Sequence, residues 1–276
     1  MKRVLSYDDL ANLSLPAPNA VDWTVVIPAA GKGSRLGFEG PKAIYPVHER
    51  PLASWVMDVF QNHCKSFVII TPTSGRLRIE KVLTKEFPNT ELIFVEQAVA
   101  SGTAEAVLLS EGSVQTTHVL VAWADHATIK KETAEWVMKI HASRPDATLT
   151  LATSWRKKPY ISIRRNAQGQ ILSVDQAREG NKIAMVGEND CGFFAFARRS
   201  LFPILQEAER SHGETTGESN LLPLFPHFEG SGDEVVSLRI GTEEETLGIN
   251  TPDEALQVTA ILEKERCLTK PLKATG

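Results

Sequence analysis

Residues 23–47, WTVVIPAAGKGSRLGFEGPKAIYPV, constrain the fold of this chain more than any other stretch. They begin with the apolar, mostly β-branched residues 25–27, a run typical of a central strand that is covered on both faces. Pro28 ends the run, and the small residues that follow let the backbone approach a ligand and offer N–H groups to anionic oxygens. These small residues are Ala29, Ala30, Gly31 and Gly33. We therefore predict a phosphate-binding loop.

Two common phosphate-binding loops match this stretch poorly. A dinucleotide-binding fingerprint needs a small residue three positions after its second glycine, where Leu36 stands. A Walker A loop needs a glycine five positions before the Gly-Lys pair, where Val26 stands, and Ser or Thr directly after the lysine, where Gly33 stands. The sequence thus weakens the dinucleotide interpretation and excludes a Walker A loop.

Two cations accompany the glycines. Arg35 follows Ser34 directly, and Lys42 comes seven residues after the arginine, behind Pro41. Positioned cations and N–H donors stabilise the charge that develops when a phosphoryl group is transferred, without any covalent nucleophile. The pattern favours a polyphosphate ligand.

The same residues resemble the signature of the sugar-1-phosphate nucleotidyltransferases, and most closely that of the N-acetylglucosamine-1-phosphate uridylyltransferase domain. That signature begins Leu-Ala-Ala-Gly-x-Gly-Thr-Arg-Met and closes with Pro-Lys; here residues 28–36 read PAAGKGSRL. The resemblance implies that Arg35 holds the leaving pyrophosphate and that Lys42 bridges the reacting phosphates. It also implies a set of nucleotide-binding loop residues, namely Ala29, Ala30, Gly31, Gly33 and Ser34.

Strand and helix patterns alternate through the first half of the chain. We predict strands at 25–27, 67–70, 92–95 and 119–122, separated by helices at 53–63, 76–87 and 103–109. This order predicts an α/β fold with a doubly wound, mostly parallel sheet that binds ligands at the carboxyl ends of its strands. The resemblance implies the Rossmann-like, GT-A-type version of that fold.

The second half changes character. Strand-like runs at 147–154, 160–165, 170–175 and 192–197 have little helix between them and predict a mixed β part that closes over the site. A helix at 201–209, a loop at 212–219, a strand at 235–240 and a helix opening at Thr251 complete the chain. We expect an N-terminal arm (1–22) and one nucleotidyltransferase domain (23–276), with a nucleotide-binding half (about 23–145) and an acceptor-binding half (about 146–276).

Asp125 follows the fourth predicted strand, where a carboxylate can share Mg²⁺ with substrate phosphates. The resemblance implies that Asn250, in the family's Gly-Val-Asn position, completes this metal site. His126 is interpreted as a neighbour, since Mg²⁺ prefers oxygen ligands.

The nucleobase and acceptor positions also follow from the resemblance. Gln97 and the turn Gly102-Thr103 match residues that meet uracil in the family, so UTP is favoured, although a second family glutamine is replaced by Ala100. On the acceptor side, Gln176 replaces a glutamate and Asp190 replaces an asparagine, whereas Glu218 is retained. These departures leave the acceptor open.

Composition excludes several classes of protein. The 30 basic and 34 acidic residues give a net charge of −4, which offers no polybasic field for nucleic acid or membrane. No apolar run is long enough for a membrane span or a signal peptide, and the three cysteines lack metal-binding spacing. We expect a cytoplasmic protein.

We therefore predict an enzyme that joins an NTP and a sugar 1-phosphate into a nucleotide sugar and pyrophosphate, with Mg²⁺ as cofactor and with room for a homodimer. One alternative is a cytidylyl- or guanylyltransferase for a non-sugar phosphate such as a phospho-alcohol or phosphocholine. Another is a non-catalytic nucleotide-binding regulator on the same fold.

Overall fold

The run at residues 25–27 lies in the middle of the main sheet of the computed structural model, which describes residues 2–31, 33–181, 183–208, 218–230 and 232–269. The strands are β1 (Val4–Leu5), β2 (Trp23–Pro28), β3 (Pro46–Val47), β4 (Arg50–Pro51), β5 (Ser66–Pro72), β6 (Glu91–Gln97), β7 (His118–Ala122), β8 (Ala147–Lys157), β9 (Ile161–Arg165), β10 (Ile171–Gln176), β11 (Val186–Ala197) and β12 (Glu234–Leu238). The helices are α1 (Tyr7–Leu10), α2 (Leu52–Phe60), α3 (Arg76–Glu86), α4 (Thr103–Leu108), α5 (Lys131–Ser143), α6 (Arg198–Ala208) and α7 (Pro252–Thr269).

Within the described ranges, eight strands form the main sheet in the order β1-β12-β8-β11-β7-β2-β5-β6. All neighbours are parallel except β11, which runs antiparallel to β7 and β8. Both faces of β2 are covered, since Val25 and Ile27 pack into one core and Val26 into the other. The predicted doubly wound, mostly parallel α/β fold is confirmed.

The second half differs from the predicted mixed β part. The runs at 147–154 and 192–197 belong to β8 and β11 and extend the main sheet, whereas β9 and β10 form a separate two-stranded antiparallel sheet. Because β11 is antiparallel, β7 and β8 still point the same way, and their carboxyl ends reach the same edge. The predicted loop at 212–219 lies mostly outside the described residues.

The N-terminal residues pack against the sheet. β1 pairs in parallel with β12, and Leu5 and Leu10 are buried. Ser6 and Asp9 cap α1, because the Asp9 carboxylate accepts hydrogen bonds from the backbone N–H and the hydroxyl of Ser6, each at 2.8 Å. None of the described helices is long and apolar enough to cross a membrane.

Candidate active site

A cleft of about 500 Å³ lies along the edge of the main sheet where β2, β6, β7 and β8 end. The wall of the cleft contains most of the residues predicted from the sequence. They are Ala29, Ala30, Gly31, Arg35, Lys42, Gln97, Gly102, Thr103, Asp125, Gln176, Asp190, Glu218 and Asn250. Two predicted nucleotide-binding residues, Gly33 and Ser34, lie outside this wall.

Gly33 shapes the glycine-rich loop from behind the cleft. Its φ is +63°, and a Cβ there would stand 2.9 Å from the Cβ of Lys42. The backbone N–H of Lys42 donates to the carbonyl of Gly31 at 3.3 Å, so the loop closes on itself at the lysine. A side chain at position 33 would push the segment at Gly31 away from the segment at Lys42. The glycine therefore places Lys42, and direct contact of Gly33 or Ser34 with a nucleotide stays a prediction.

Lys42, Asp125 and Asn250 meet at the centre of the cleft. The Lys42 ammonium forms an ion pair with Asp125 Oδ2 and donates to Asn250 Oδ1 at 2.8 Å. Arg35 Nη2 lies 3.4 Å from the same Asn250 oxygen. The loop after β2, the loop after β7 and the start of α7 thus converge on one point.

Asp125 is held as a carboxylate. Burial raises its pKa, but Lys42 and His126 outweigh burial and hold the pKa below its usual range. Nδ1 of His126 lies 2.9 Å from Asp125 Oδ1. The imidazole has little freedom, because a Cβ on either Gly192 or Gly248 would run into it. His126 is therefore a positioning neighbour of Asp125.

The geometry suits one divalent cation. A single ammonium reaches both Asp125 Oδ2 and Asn250 Oδ1, so one cation can bridge these two oxygens. The described residues contain no group of three or more His, Cys, Asp or Glu arranged for a metal. One carboxylate and one amide oxygen match a Mg²⁺ site that takes its other ligands from phosphates and water.

Gln97 lines the end of the cleft that the sequence analysis predicts to bind the nucleobase. Its Nε2 donates to Glu105 Oε2 at 2.8 Å and to the carbonyl of Gly102 at 3.1 Å. These contacts use the donor end of the amide, so the carbonyl oxygen is the end available to a ligand. A base N–H group is the matching partner.

The loop that carries Gly102 is joined to residues 219–221. Ser219 donates its N–H to the carbonyl of Ser101 at 2.7 Å, and Ala104 N–H donates to the carbonyl of Ser219 at 2.8 Å. Thr103 Oγ1 accepts from the N–H of Leu221 at 3.0 Å. The predicted nucleobase turn therefore also holds the segment that brings Glu218 to the cleft.

Asp190 lies buried in the part of the cleft that the sequence analysis predicts to bind the acceptor, which is called the acceptor wall below. Its Oδ1 accepts from the backbone N–H of Gly192 at 2.8 Å, whereas Oδ2 has no hydrogen-bond partner among the described residues. Burial, with a contribution from the charge of Asp125, raises the pKa of Asp190. Gln176 stands in the same wall with its side-chain amide free of described hydrogen bonds.

Several residues of the cleft had no role in the sequence analysis. Trp123 follows β7, Arg156 lies at the end of β8, and Tyr160, Asn189 and Asn220 line the acceptor wall. The rule that ligands meet the carboxyl ends of strands could have found Arg156 once β8 was placed in the main sheet. No local pattern marks Asn220, whose Nδ2 donates to the buried Glu179 at 3.1 Å.

Sequence comparisons agree with this geometry. The profile of the family described as MobA-like NTP transferase domain matches residues 25–221. The bifunctional protein GlmU of Lactobacillus helveticus is 25% identical over 248 residues, covering 87% of this chain and 51% of that protein. GlmU of Koribacter versatilis is 27% identical over 255 residues, covering 89% and 52%. The chain spans about half the length of the curated relatives it matches.

Solved structures share the fold. A CMP:2-keto-3-deoxy-manno-octonic acid synthetase complexed with CTP aligns with a TM-score of 0.66 at 16% identity, covering 88% of this chain and 99% of that one. A Bacillus anthracis structure described as a glucose-1-phosphate thymidylyltransferase, in complex with sucrose, aligns with a TM-score of 0.68 at 14% identity, covering 87% and 94%.

Proposed function

Because the chain belongs to the MobA-like NTP transferase domain family, we propose that it joins an NTP, with UTP favoured, to a sugar 1-phosphate. The products are a nucleotide sugar and pyrophosphate. The observation that carries the proposal is the convergence of Lys42, Asp125 and Asn250 in the cleft next to the glycine-rich loop. The similarity to GlmU proteins over most of the chain supports UTP as the first nucleotide to test.

The side chains suit in-line attack of an acceptor phosphate oxygen on the α-phosphorus. In this proposal, Arg35 and the backbone of the loop bind the pyrophosphate that leaves, and Lys42 contacts both reacting phosphates. Asp125 and Asn250 would hold Mg²⁺, which would supply charge neutralisation on the phosphate oxygens. No protein nucleophile is required.

Pyrophosphate release tests the assignment directly. Lys42→Ala and Asp125→Ala should each lower kcat by about 100-fold or more, since each removes a charge placed at the reacting phosphates. Lys139→Ala, which removes a lysine paired with Glu135 on α5 outside the cleft, is the matched control. Rates within tenfold of wild type in both cleft variants would contradict the proposal.

A second candidate uses the same chemistry on a different acceptor. Asp190 and Glu218 place two acidic groups in the acceptor wall, an arrangement that suits a cationic head group such as that of phosphocholine. That enzyme would be a cytidylyl- or guanylyltransferase for a non-sugar phosphate. Pyrophosphate release from four NTPs, each tested with sugar 1-phosphates and with phospho-alcohols, separates the two candidates. Mg²⁺-dependent NTP binding without turnover of any acceptor would favour a non-catalytic regulator instead.

A further inference from the structure

Arg156 is a cation at the acceptor end of the cleft that the proposed chemistry does not use. Its Nη1 donates to the carbonyl of Thr246 at 3.1 Å and to the Thr246 hydroxyl at 3.3 Å. Its remaining N–H groups have no partner among the described residues. A guanidinium carries five N–H donors, so most of its binding capacity is left for a ligand.

No carboxylate neutralises this guanidinium in the part of the chain that the structure describes. Glu243 and Glu244 line an adjacent groove together with Arg156, yet neither approaches it within 4 Å. At the centre of the cleft, Lys42 is paired with Asp125, and Arg35 contacts the amide oxygen of Asn250. An unpaired charge in a half-enclosed site favours the binding of an opposite charge, so the environment of Arg156 favours an anionic ligand.

The order of the strands separates this cation from the reacting phosphates. Gln97 ends β6, the glycine-rich loop follows β2, Asp125 follows β7, and Arg156 ends β8. β8 lies two strands beyond β7, which corresponds to about 10 Å at the usual strand spacing. Arg156 therefore stands beyond the α-phosphate on the side opposite to the nucleobase, where the far part of an acceptor would lie.

Thr246 fixes Arg156 in relation to the metal-binding amide. Thr246 ends a short 3-10 helix, and the chain then runs through Leu247 and Gly248 to Asn250. Both Thr246 and Asn250 line the cleft. An anion on Arg156 would thus be held at a defined distance from the phosphate that reacts.

We propose that Arg156 binds a second anionic group of the acceptor, a carboxylate or a second phosphate, at the end of the cleft opposite to the nucleobase. This inference rests on the proposed function, and it narrows the substrate to acceptors with an anion in addition to the reacting phosphate. A guanidinium binds carboxylate and phosphate with similar geometry, so the two sources share one site.

Three acceptors on one skeleton test the inference. Glucose 1-phosphate lacks a second anion, glucuronic acid 1-phosphate carries a carboxylate, and glucose 1,6-bisphosphate carries a second phosphate. The wild-type protein should show kcat/KM at least about tenfold higher for one or both of the acceptors with two anions, since a charge-assisted hydrogen bond is worth roughly that factor or more. The preferred acceptor identifies the anion.

Arg156→Gln keeps a side-chain N–H that can reach Thr246 but removes the charge, so the ratio of kcat/KM between the preferred acceptor and glucose 1-phosphate should collapse towards one. Arg199→Gln removes an arginine on α6 that is paired with Asp233 outside the cleft, and it should keep the wild-type ratio. UTP binding, measured on the same preparations, shows that the variants are folded. A wild-type ratio in Arg156→Gln, or no preference in the wild type, would overturn the inference.

Calorimetry with the same three acceptors in the presence of UTP and Mg²⁺ separates this inference from the proposed function. If no acceptor is turned over, the proposed function fails. The equilibrium affinities then still test whether Arg156 binds a second anionic group. Tighter binding of an acceptor with two anions that is lost in Arg156→Gln supports the inference. Equal affinities for all three acceptors, or no binding of any of them, count against it.

Discussion

At the scale of single residues, Gly102 is the position of the cleft that least tolerates a side chain. Its φ of +117° is a conformation that residues with a Cβ rarely adopt, and a Cβ there would collide with the backbone of Ser219. Gly102→Ala should lower the free energy of unfolding by about 1–3 kcal/mol in urea titrations. It should also weaken NTP binding, because the turn and residues 219–221 hold each other in place.

Gly112→Ala is the control for that substitution. Nothing lies within 4 Å of a Cβ at Gly112, and its φ is not positive. The change should keep the free energy of unfolding within about 0.5 kcal/mol of wild type and leave the NTP affinity unchanged. Equal effects of the two substitutions would show that the contact between Gly102 and Ser219 does not matter for the site.

The central residues of the site could be predicted because each follows a recognisable element. Asp125 comes three residues after the end of β7, and Lys42 closes the stretch that carries the glycine-rich loop. Other residues depend on pairings between distant segments. The sequence places His126 beside Asp125, but only the fold shows that Gly192 and Gly248 confine its ring. Such contacts leave no local pattern.

At the scale of elements, the strands of the first half were predictable, whereas β8 and β11 were misplaced. The runs that became β2, β5 and β7 are continuous and apolar, as strands buried on both faces must be. β8 and β11 show a similar pattern, but pairing partners cannot be read from periodicity, so their place in the main sheet was missed. α5 also went unpredicted, although Ala134, Val137, Met138 and His141 are buried at helical spacing.

The start of α7 connects helix capping to the site. Glu254 Oε2 accepts from the backbone N–H of Asn250 at 2.6 Å and of Thr251 at 2.9 Å, and these hydrogen bonds cap the start of α7. Glu254→Ala should lower the free energy of unfolding by about 1 kcal/mol. It should also lower kcat, because the backbone N–H of Asn250 loses its hydrogen bond to the Glu254 carboxylate. Glu254→Gln can keep the cap and should stay closer to wild type.

Urea unfolding and pyrophosphate release, measured on the same preparations, separate these two effects. Asp253→Ala changes an exposed residue in the same helical turn and serves as the control. If Glu254→Ala kept the wild-type kcat, Asn250 would not need its backbone anchor, and the link between the cap and the site would be wrong.

At the scale of the whole molecule, two neighbouring histidines, His141 buried and His118 half-buried, make stability depend on pH. His118 stacks on Trp23 at 4.7 Å between ring centroids, and His141 lies 5.2 Å from His118. Each imidazole has one nitrogen without a described partner, Nδ1 of His118 and Nε2 of His141. Burial lowers the pKa of His141 to about 3, and it also lowers that of His118, although Asp22 opposes this. Together with Trp23, the two histidines connect β2, β7 and α5.

The direction of the pH effect follows from proton uptake. Below an unfolded pKa of 6.5 the unfolded chain binds protons that the folded protein does not, so stability is lost as the pH falls from 6.5 towards 3. His141 alone should remove about 2 kcal/mol of unfolding free energy by pH 5. Urea titrations from pH 8 to pH 5 should show a flatter dependence for His141→Gln, whereas the exposed His227→Gln should keep the wild-type slope. Equal slopes in all three proteins would contradict this account.

The coupling between UTP binding and Mg²⁺ binding tests whether Asn250 belongs to the metal site. If Asn250 and Asp125 hold one Mg²⁺ that also binds the triphosphate, UTP and Mg²⁺ together must raise the melting temperature by more than the sum of their separate effects. Asn250→Ala should remove most of that excess, because Oδ1, which accepts from Lys42 at 2.8 Å, is the oxygen that would face the metal.

Without ligands, Asn250→Ala should melt close to wild type, since the cap of α7 uses the backbone of Asn250 and the side chain of Glu254. Asn89→Ala, an exposed asparagine in the turn before β6, should keep the full excess stabilisation. The three proteins are compared in a thermal-shift experiment with UTP alone, Mg²⁺ alone and both together. An excess of the same size in Asn250→Ala as in wild type would place Asn250 outside the metal site, and its match to the family motif would then carry no functional meaning.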